Sequence, residues 1–364
     1  MNTVPTEPIL PSLPLPLPAT PGARQNWSPP PGCGEALGLA GLRTRHAGFW
    51  LVIVPSVARA ESLEAELRFF LGGQAGLAVF PDTEVLPYDT FSPHQDLTSR
   101  RLMVLRDVAA GRISTLVVAA STLLPRLAPA RYISGYSISL SAGQKLRPEQ
   151  LRLQLETAGY QRVAQVMEHG DFAVRGSLLD FYPMGSEQPV RIDFLDDEVE
   201  SLREFDPDSQ LSGAVIASLE TLPAREMPVD AEAIKQFRQA YRRRFEGNPA
   251  RSIIYREVSE GRMPGGIENY LPLFFAETAL LWDYLPAGHL SISLGEPGTL
   301  FETGWQQIVE RYGQAGENSE RPALAPQEIN ASPDEHLAKL SHGPLLVLDG
   351  TANRGAASLP PVQI

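Results

Sequence analysis

Short apolar runs alternate with stretches of helical periodicity in the first third of the chain. Three runs are typical of strands that are buried on both faces: residues 49–54 (FWLVIV), 77–80 and 115–120. Between the first two, Ser56 can cap a helix whose apolar residues recur at helical spacing as far as Gly72. Residues 100–108 have the same periodicity. Three strand and helix units in sequence predict a doubly wound α/β layer around a parallel sheet.

The periodicity changes after about residue 128. Residues 132–140 (YISGYSISL) alternate with period two, which predicts a strand with one solvent-facing side. Pro148 and Gly159 suit the start of a helix and the position just past its end. Five short strands are predicted next, at residues 162–166, 172–174, 178–182, 189–195 and 199–205. The acidic turn at residues 196–198 joins the last two as a hairpin.

These changes of pattern divide the chain into five segments. An α/β domain is predicted in two pieces, residues 32–127 and 213–350, around an inserted α+β domain at residues 128–212. In the second piece, a helix at residues 231–245 and strands at 290–294 and 345–348 resume the sheet. Residues 1–31 contain ten prolines and are predicted to be a disordered tail. The composition of residues 351–364 is typical of a linker.

Composition and charge narrow the classes of function. The 364 residues are 43% hydrophobic, which is enough for buried cores, and the single cysteine, Cys33, cannot form an internal disulfide. No run approaches the length of a membrane span and no secretory signal is recognisable, so a cytoplasmic protein is expected. A formal net charge of −12 disfavours non-specific DNA binding, and the arginine run at residues 242–244 is interpreted as a solvated helix face.

The chemistry expected of a nucleotide-binding α/β layer is missing. No Gly-Lys pair precedes a Ser or Thr, and the nearest glycine-rich stretch, residues 31–38 (PGCGEALG), has Glu35 where a cation would help. Residues 345–349 (LLVLD) resemble a magnesium-binding strand end but are interpreted as a buried strand. The histidines have no metal-ligand spacing, and the acidic run at residues 193–200 is interpreted as a solvated hairpin tip. No catalytic residue, metal or cofactor is therefore predicted.

Three blocks of sequence resemble a known family. They are residues 86–105 (LPYDTFSPHQDLTSRRLMVL), 166–205 (VMEHGDFAVRGSLLDFYPMGSEQPVRIDFLDDEVESLREF) and 261–275 (GRMPGGIENYLPLFF). They resemble the N-terminal part of bacterial transcription-repair coupling factor (Mfd), over roughly residues 35–345. That region of the family is similar to the damage-verification helicase UvrB.

The resemblance implies a fold and a role. It implies a degenerate RecA/helicase-like parallel-sheet domain without its phosphate loop, interrupted by an inserted domain that binds UvrA, the damage sensor of nucleotide excision repair. It implies a parent protein that is an ATP-dependent DNA translocase, with later domains that mask the docking face by autoinhibition. RNA polymerase and DNA would be contacted only through those other domains. The stretch corresponding to the DNA-inserting hairpin of UvrB, residues 88–94, is short.

The resemblance also assigns candidate contacts with UvrA. The docking arginines of the family fall on Arg175 and Arg191, and Leu195 replaces an aromatic residue. Phe172 and Gly176 complete the predicted UvrA-binding set. From the residues alone, Arg191 and Leu195 share one face of a strand, where Arg191 is either an interface anchor or the partner of an acid across the hairpin.

Two functions follow from these expectations. The first is a non-catalytic, UvrB-like module that recruits UvrA in transcription-coupled nucleotide excision repair. The alternative is the N-terminal half of an active ATP-dependent DNA helicase of the UvrB type. The alternative is disfavoured because the phosphate loop with its lysine is missing. Nothing else in the sequence is placed to neutralise a triphosphate.

Overall fold

A computed structural model describes residues 17–349, apart from residues 19, 31, 74, 75 and 317. Its strands are β1 (Arg24–Trp27), β2 (Trp50–Val54), β3 (Leu77–Val79), β4 (Thr115–Ala119), β5 (Ile138–Ser141), β6 (Gln161–Arg162), β7 (Asp171–Arg175), β8 (Leu178–Phe181), β9 (Val190–Leu195), β10 (Glu198–Phe205), β11 (Ser212–Ile216), β12 (Ser218–Thr221), β13 (Leu290–Leu294) and β14 (Leu345–Leu348). The α-helices are α1 (Gly34–Arg43), α2 (Val57–Phe70), α3 (Gln95–Ala109), α4 (Ala120–Leu123), α5 (Ala130–Gly135), α6 (Pro148–Thr157), α7 (Ala231–Arg244), α8 (Ile253–Ser259), α9 (Pro297–Ala315), α10 (Pro326–Ile329) and α11 (Pro333–Ser341). Three 3₁₀ segments lie at Pro249–Arg251, Ile267–Phe274 and Leu281–Tyr284.

A six-stranded parallel sheet in the order β1-β14-β13-β2-β4-β3 forms the larger layer. Its strands come from both ends of the described chain, since β13 and β14 pair beside β2. Alternate residues of β2 face opposite sides of the sheet. Trp50 and Val52 pack with α1 and α2, whereas Leu51 and Ile53 pack with α3 and α9. The predicted α/β layer in two chain segments is confirmed.

A second six-stranded sheet, β11-β10-β9-β8-β7-β6, is antiparallel except for the short β6–β7 pair. Helix α6 contributes Leu151 and Leu155 to the hydrophobic core beneath it. Strands β5 and β12 pair with each other, so the chain enters and leaves this unit side by side. The predicted small inserted unit is confirmed, while its boundaries at residues 128 and 212 stay predictions.

Three elements differ from the sequence predictions. Residues 24–27 fall in the predicted disordered tail but form β1, because this stretch lacks proline and its backbone pairs with β14. Residues 130–135 are helical instead of extended. Tyr132 and Tyr136 are four residues apart, a spacing that fits both the alternation of a strand and one turn of a helix. In the structure their ring centres lie 4.9 Å apart, one helical turn from each other. The strand predicted at residues 162–166 is confined to β6. Residues 1–16 and the predicted linker lie outside the described residues.

No helix among the described residues is both long and apolar enough to cross a bilayer.

The loop between β3 and α3 is held against the second α/β segment. Asn269 accepts a hydrogen bond from the Tyr88 amide at 3.1 Å and donates one to the Asp89 carbonyl at 2.9 Å. Gly266 has φ of +75°, and a Cβ at this position would lie 2.6 Å from the Asp89 carbonyl oxygen. Two segments far apart in the chain, around residues 88 and 266, therefore pack directly against each other.

We expect Gly266→Ala to destabilise the fold by about 2 kcal/mol or more, since both the positive φ and the backbone contact oppose a side chain. Gly261→Ala is the matched control, because Gly261 has φ of +79° but a methyl group added there would meet no atom within 4 Å. Chemical denaturation of both variants measures the difference. Equal losses would show that the loop contact contributes nothing.

A buried histidine of α11, His336, faces α9. Trp282 donates its indole N–H to Nδ1 of His336 at 2.8 Å, and the ring stacks on Phe301 at 4.9 Å. Nδ1 therefore acts as an acceptor, and Nε2 is buried with no hydrogen-bond partner among the described residues. Burial, followed by the charges of Arg126 and Lys339, lowers the pKa of His336 to about 4. The fold thus favours the neutral imidazole.

This pKa predicts an acid-dependent loss of stability. The unfolded chain binds the proton of His336 near pH 6.5 and the folded chain only near pH 4, so stability falls as the pH drops through that window. The free energy of unfolding of His336→Gln should fall less steeply between pH 6.5 and 4 than that of the wild type. Between pH 6.5 and 4, the wild type is expected to lose about 3 kcal/mol more of its free energy of unfolding than the variant. Urea titrations across that range test this, and parallel curves would contradict it.

Candidate partner-binding surface

The pleat of β9 separates a core face from an outer face. Val190, Ile192 and Phe194 are buried in the core that α6 helps to form. Arg191 and the alternate residues after it point to the other side. The register across β7, β8, β9, β10 and β11 places further side chains beside them. We define the outer face by its accessible members: Arg175, Leu178, Asp193, Leu195, Arg203 and Val215.

Apolar residues on and beside the outer face are unusually exposed. Leu195 and Val215 are each 62% exposed. Leu211, in the loop between β10 and β11, is 70% exposed. Exposed aliphatic side chains on one sheet, with arginines beside them, are typical of protein–protein contact sites.

Arg175 ends β7 at the edge of the outer face. Its side chain is exposed and donates from Nη2 to the Ala164 carbonyl at 2.9 Å. No ion pair within 4 Å involves Arg175 in the part of the chain that the structure describes. Gly176 follows with φ of +64° and makes the turn into β8, with open space around its Cα. Arg175 is therefore available to a partner.

Arg191 lies in a different environment from Arg175. Its Nε and Nη2 donate to the two carboxylate oxygens of Asp180 at 2.7 and 2.9 Å, forming a bidentate pair across neighbouring strands. Its Nη1 donates to the Gln210 carbonyl at 3.3 Å and to the Ser212 hydroxyl at 3.0 Å. The guanidinium also lies 5.0 Å from the centre of the Phe205 ring. The hydrogen bond to Asp180 raises the pKa of Arg191.

Arg191 is therefore paired with an acid, but that acid is Asp180 on β8 and does not lie across the predicted β9–β10 hairpin. Only 18% of the Arg191 side chain and 4% of the Asp180 side chain are exposed.

Phe172 requires a correction. The resemblance predicts it as a contact residue, but its side chain is fully buried in the core with Phe181 and Leu155. Consecutive strand residues face opposite sides, so Phe172 and the outer-face position Ala173 cannot share a surface. Phe172 supports β7 from inside. Leu195, by contrast, is exposed at the end of β9, beside the hairpin turn in which Asp196 has φ of +53°.

Sequence reasoning missed Asp180, Arg203, Leu211 and Val215. Residues 212–216 carry no strong strand signal, so β11 and the outward direction of Val215 could not be assigned. Asp180 follows two leucines in β8, and the sequence alone does not give the register that places it beside Arg191.

The glycine-rich stretch near residue 34 occupies the place of a phosphate loop, between β1 and α1. A Cβ at Gly34 would lie 2.9 Å from the Pro30 ring, so the preceding loop folds against the start of the helix. Glu35 adds a carboxylate to the first turn and accepts from Arg59 at 2.7 Å. The N-terminus of a helix favours anions, and here a protein carboxylate already lies beside it.

The three lysines of the sequence are Lys145, Lys235 and Lys339, all remote in sequence from residue 34. The Asp349 amide donates to the Trp27 carbonyl at 3.1 Å, which ties the end of β14 to β1. No group of three or more His, Cys, Asp or Glu side chains could hold a metal ion among the described residues.

Comparison with known proteins identifies the unit that carries the outer face. Residues 138–227 match the family model described as UvrB interaction domain. We refer to these residues as the UvrB interaction domain, after the model that they match. Its limits run from β5 to just beyond β12, so the paired strands at the entrance and exit belong to it. All five predicted contact residues lie within the UvrB interaction domain.

The chain as a whole belongs to the family of transcription-repair-coupling factors, as the N-terminal part of such a protein. It is 38% identical to that of Escherichia coli strain K12 over 335 residues, covering 90% of this chain and 29% of the relative. It is 37% identical to that of Haemophilus influenzae, covering 91% of this chain and 29% of the relative. That of Myxococcus xanthus is 32% identical over 76% of this chain and 24% of the relative. The resemblance to the N-terminal part of this family is confirmed, and the chain spans less than a third of these relatives.

Proposed function

We propose that this chain is a non-catalytic module that recruits UvrA in transcription-coupled nucleotide excision repair, and that UvrA docks on the outer face. The observation that carries the proposal is the exposed apolar and arginine-lined face of the UvrB interaction domain. A role in this pathway implies a bacterial cytoplasmic protein. Similarity to proteins named transcription-repair-coupling factor supports the pathway.

The chemistry of the outer face suits protein recognition. Arg175 has no acidic partner within 4 Å among the described residues and offers a planar fork to a carboxylate of a partner. Leu195 offers an aliphatic contact where the family was expected to have an aromatic ring, so it provides area without stacking. An arginine beside an exposed apolar residue is typical of the centre of an interface.

The parallel sheet is proposed to serve as a scaffold rather than an ATPase. Glu35, paired with Arg59, supports this because a carboxylate at the first turn of α1 repels a triphosphate. The parent protein is proposed to be an ATP-dependent DNA translocase that contacts DNA and RNA polymerase through other domains. Its later domains are proposed to cover the outer face until the partner is needed.

One observation favours the alternative of an active helicase half. The parallel sheet and the position of α1 directly after β1 are the architecture in which nucleotides bind. Architecture alone does not supply phosphate chemistry.

Arg175→Ala is expected to weaken binding of the 364-residue chain to UvrA by about tenfold or more, about 1.4 kcal/mol, since an exposed charge-assisted contact is lost. Leu195→Asp should weaken it comparably by placing a charge in an apolar contact. The matched control is Arg152→Ala, because Arg152 pairs with Glu156 on α6, away from the outer face. Titration calorimetry measures the affinities. Equal affinities for wild type and Arg175→Ala would remove Arg175 from the proposed site.

ATP is expected neither to be hydrolysed nor to raise the melting temperature of the chain, with or without DNA. The reason is the carboxylate at α1 and the lack of a lysine near it in sequence. Purified UvrB serves as the positive control for both assays. Turnover above background by this chain would favour the helicase interpretation instead.

A further inference from the structure

The guanidinium of Arg191 is almost fully used inside the domain. It makes four hydrogen bonds, two to Asp180, one to Gln210 and one to Ser212. An arginine side chain has five N–H groups, so one remains. Asp180 has its two carboxylate oxygens engaged by this fork. A side chain bound in this way has little left to offer a partner.

Two of those hydrogen bonds hold the loop between β10 and β11. The loop closes on itself, with the Asp206 amide donating to the Leu211 carbonyl at 3.0 Å and the Gln210 amide donating to the Asp206 carbonyl at 2.8 Å. Gln210 has φ of +61°, a conformation that costs a non-glycine residue free energy. Arg191 contacts the carbonyl of this strained residue and the hydroxyl of Ser212, on either side of Leu211.

Arg191 is thus one of the groups that hold the residues beside Leu211, together with the Asp206 carboxylate, which accepts from Ser209. Leu211 is 70% exposed between two residues that the guanidinium contacts, and Val215 follows on β11. Leu195 lies four residues along β9 from Arg191, roughly 13 Å away. A standard interface on one partner is large enough to cover both ends of this sheet.

We infer that Asp180 and Arg191 are positioning residues: their ion pair fixes the loop at residues 206–212 so that Leu211 and Val215 extend the docking surface begun by Leu195, while Arg191 makes no essential contact with the partner. The inference rests on the proposed function. It assigns to the partner an apolar surface that meets three aliphatic side chains, with an acidic group for Arg175 at its edge.

The Asp180→Asn variant tests whether Arg191 positions the loop or contacts the partner directly. The substitution keeps the shape but removes the charge and one acceptor, so the fork loosens and the loop loses its support. If Arg191 positions the loop, Asp180→Asn weakens UvrA binding although it lies beneath the surface. If Arg191 contacts the partner directly, Asp180→Asn releases the fork and binding is unchanged or tighter.

The experiment uses the 364-residue chain and purified UvrA, with affinities for wild type, Asp180→Asn, Arg191→Ala and the double variant. Each single variant is expected to bind about tenfold more weakly, and the double variant no more weakly than Arg191→Ala, because the two residues act as one unit. Leu211→Ser should weaken binding with the ion pair intact. Ser212→Ala, which removes one hydrogen bond, is expected to lower affinity about threefold.

Amide hydrogen exchange provides a readout that does not depend on the partner. Asp180→Asn and Arg191→Ala should speed exchange at residues 208–212 and leave α6 unchanged, which also verifies that the domain is folded. Leu211→Ser should leave exchange in the loop unchanged. If the double variant or Arg191→Ala does not fold, Ser212→Ala and Leu211→Ser are compared instead. Ser212→Ala removes one hydrogen bond to the loop, and Leu211→Ser removes the exposed side chain.

The outcomes separate the inference from the proposed function. Unchanged affinity of Asp180→Asn beside a loss in Arg191→Ala would overturn positioning and make Arg191 a direct anchor. Unchanged loop exchange in Asp180→Asn would overturn it regardless of UvrA. A wild-type chain that does not bind UvrA, with faster loop exchange in the variants, would instead remove the proposed function and leave the ion pair as the support of the loop.

Discussion

Pairing of β13 with β2 is the constraint on which the rest of the structure depends. It joins strands from opposite ends of the described chain, with register from Leu290 beside Trp50 to Ser293 beside Ile53. Everything between β4 and β13 must therefore leave the sheet and return to it. The β5–β12 pair meets this requirement by bringing the start and the end of the inserted unit together. The UvrB interaction domain is thereby joined to the parallel-sheet layer at two adjacent points.

The same scaffold carries an ion-pair network at the start of α1. A parallel sheet with α1 after β1 retains the backbone arrangement of a phosphate-binding fold. At the helix start, however, Glu35 and Arg59 pair with each other, and Arg59 also bonds Glu66 at 2.9 Å. A network of this kind stabilises the packing of α1 on α2 without any ligand.

The local sequence predicted two kinds of element: strands that are deeply buried and helices with a clear capping residue or first turn. The apolar runs of β2, β4, β13 and β14, the Ser56 cap and the helix after Pro148 follow from periodicity and capping. Residues 24–27 could not be predicted, because a four-residue parallel edge strand exists only through its partner β14. The burial of Phe172 was available from strand alternation. The role of Arg191 was not, since Asp180, Gln210 and Ser212 meet it only in three dimensions.

The side-by-side entry and exit of the inserted unit has an evolutionary consequence. Thr221 lies opposite Ile138 in the β5–β12 pair, so the two junctions are separated by about 5 Å, the distance between neighbouring strands. A unit joined at two adjacent points can be exchanged for a homologous one without altering the spacing of the strands that bear it. Exchange of the whole unit at these two junctions would leave the pairing of β13 with β2 unchanged.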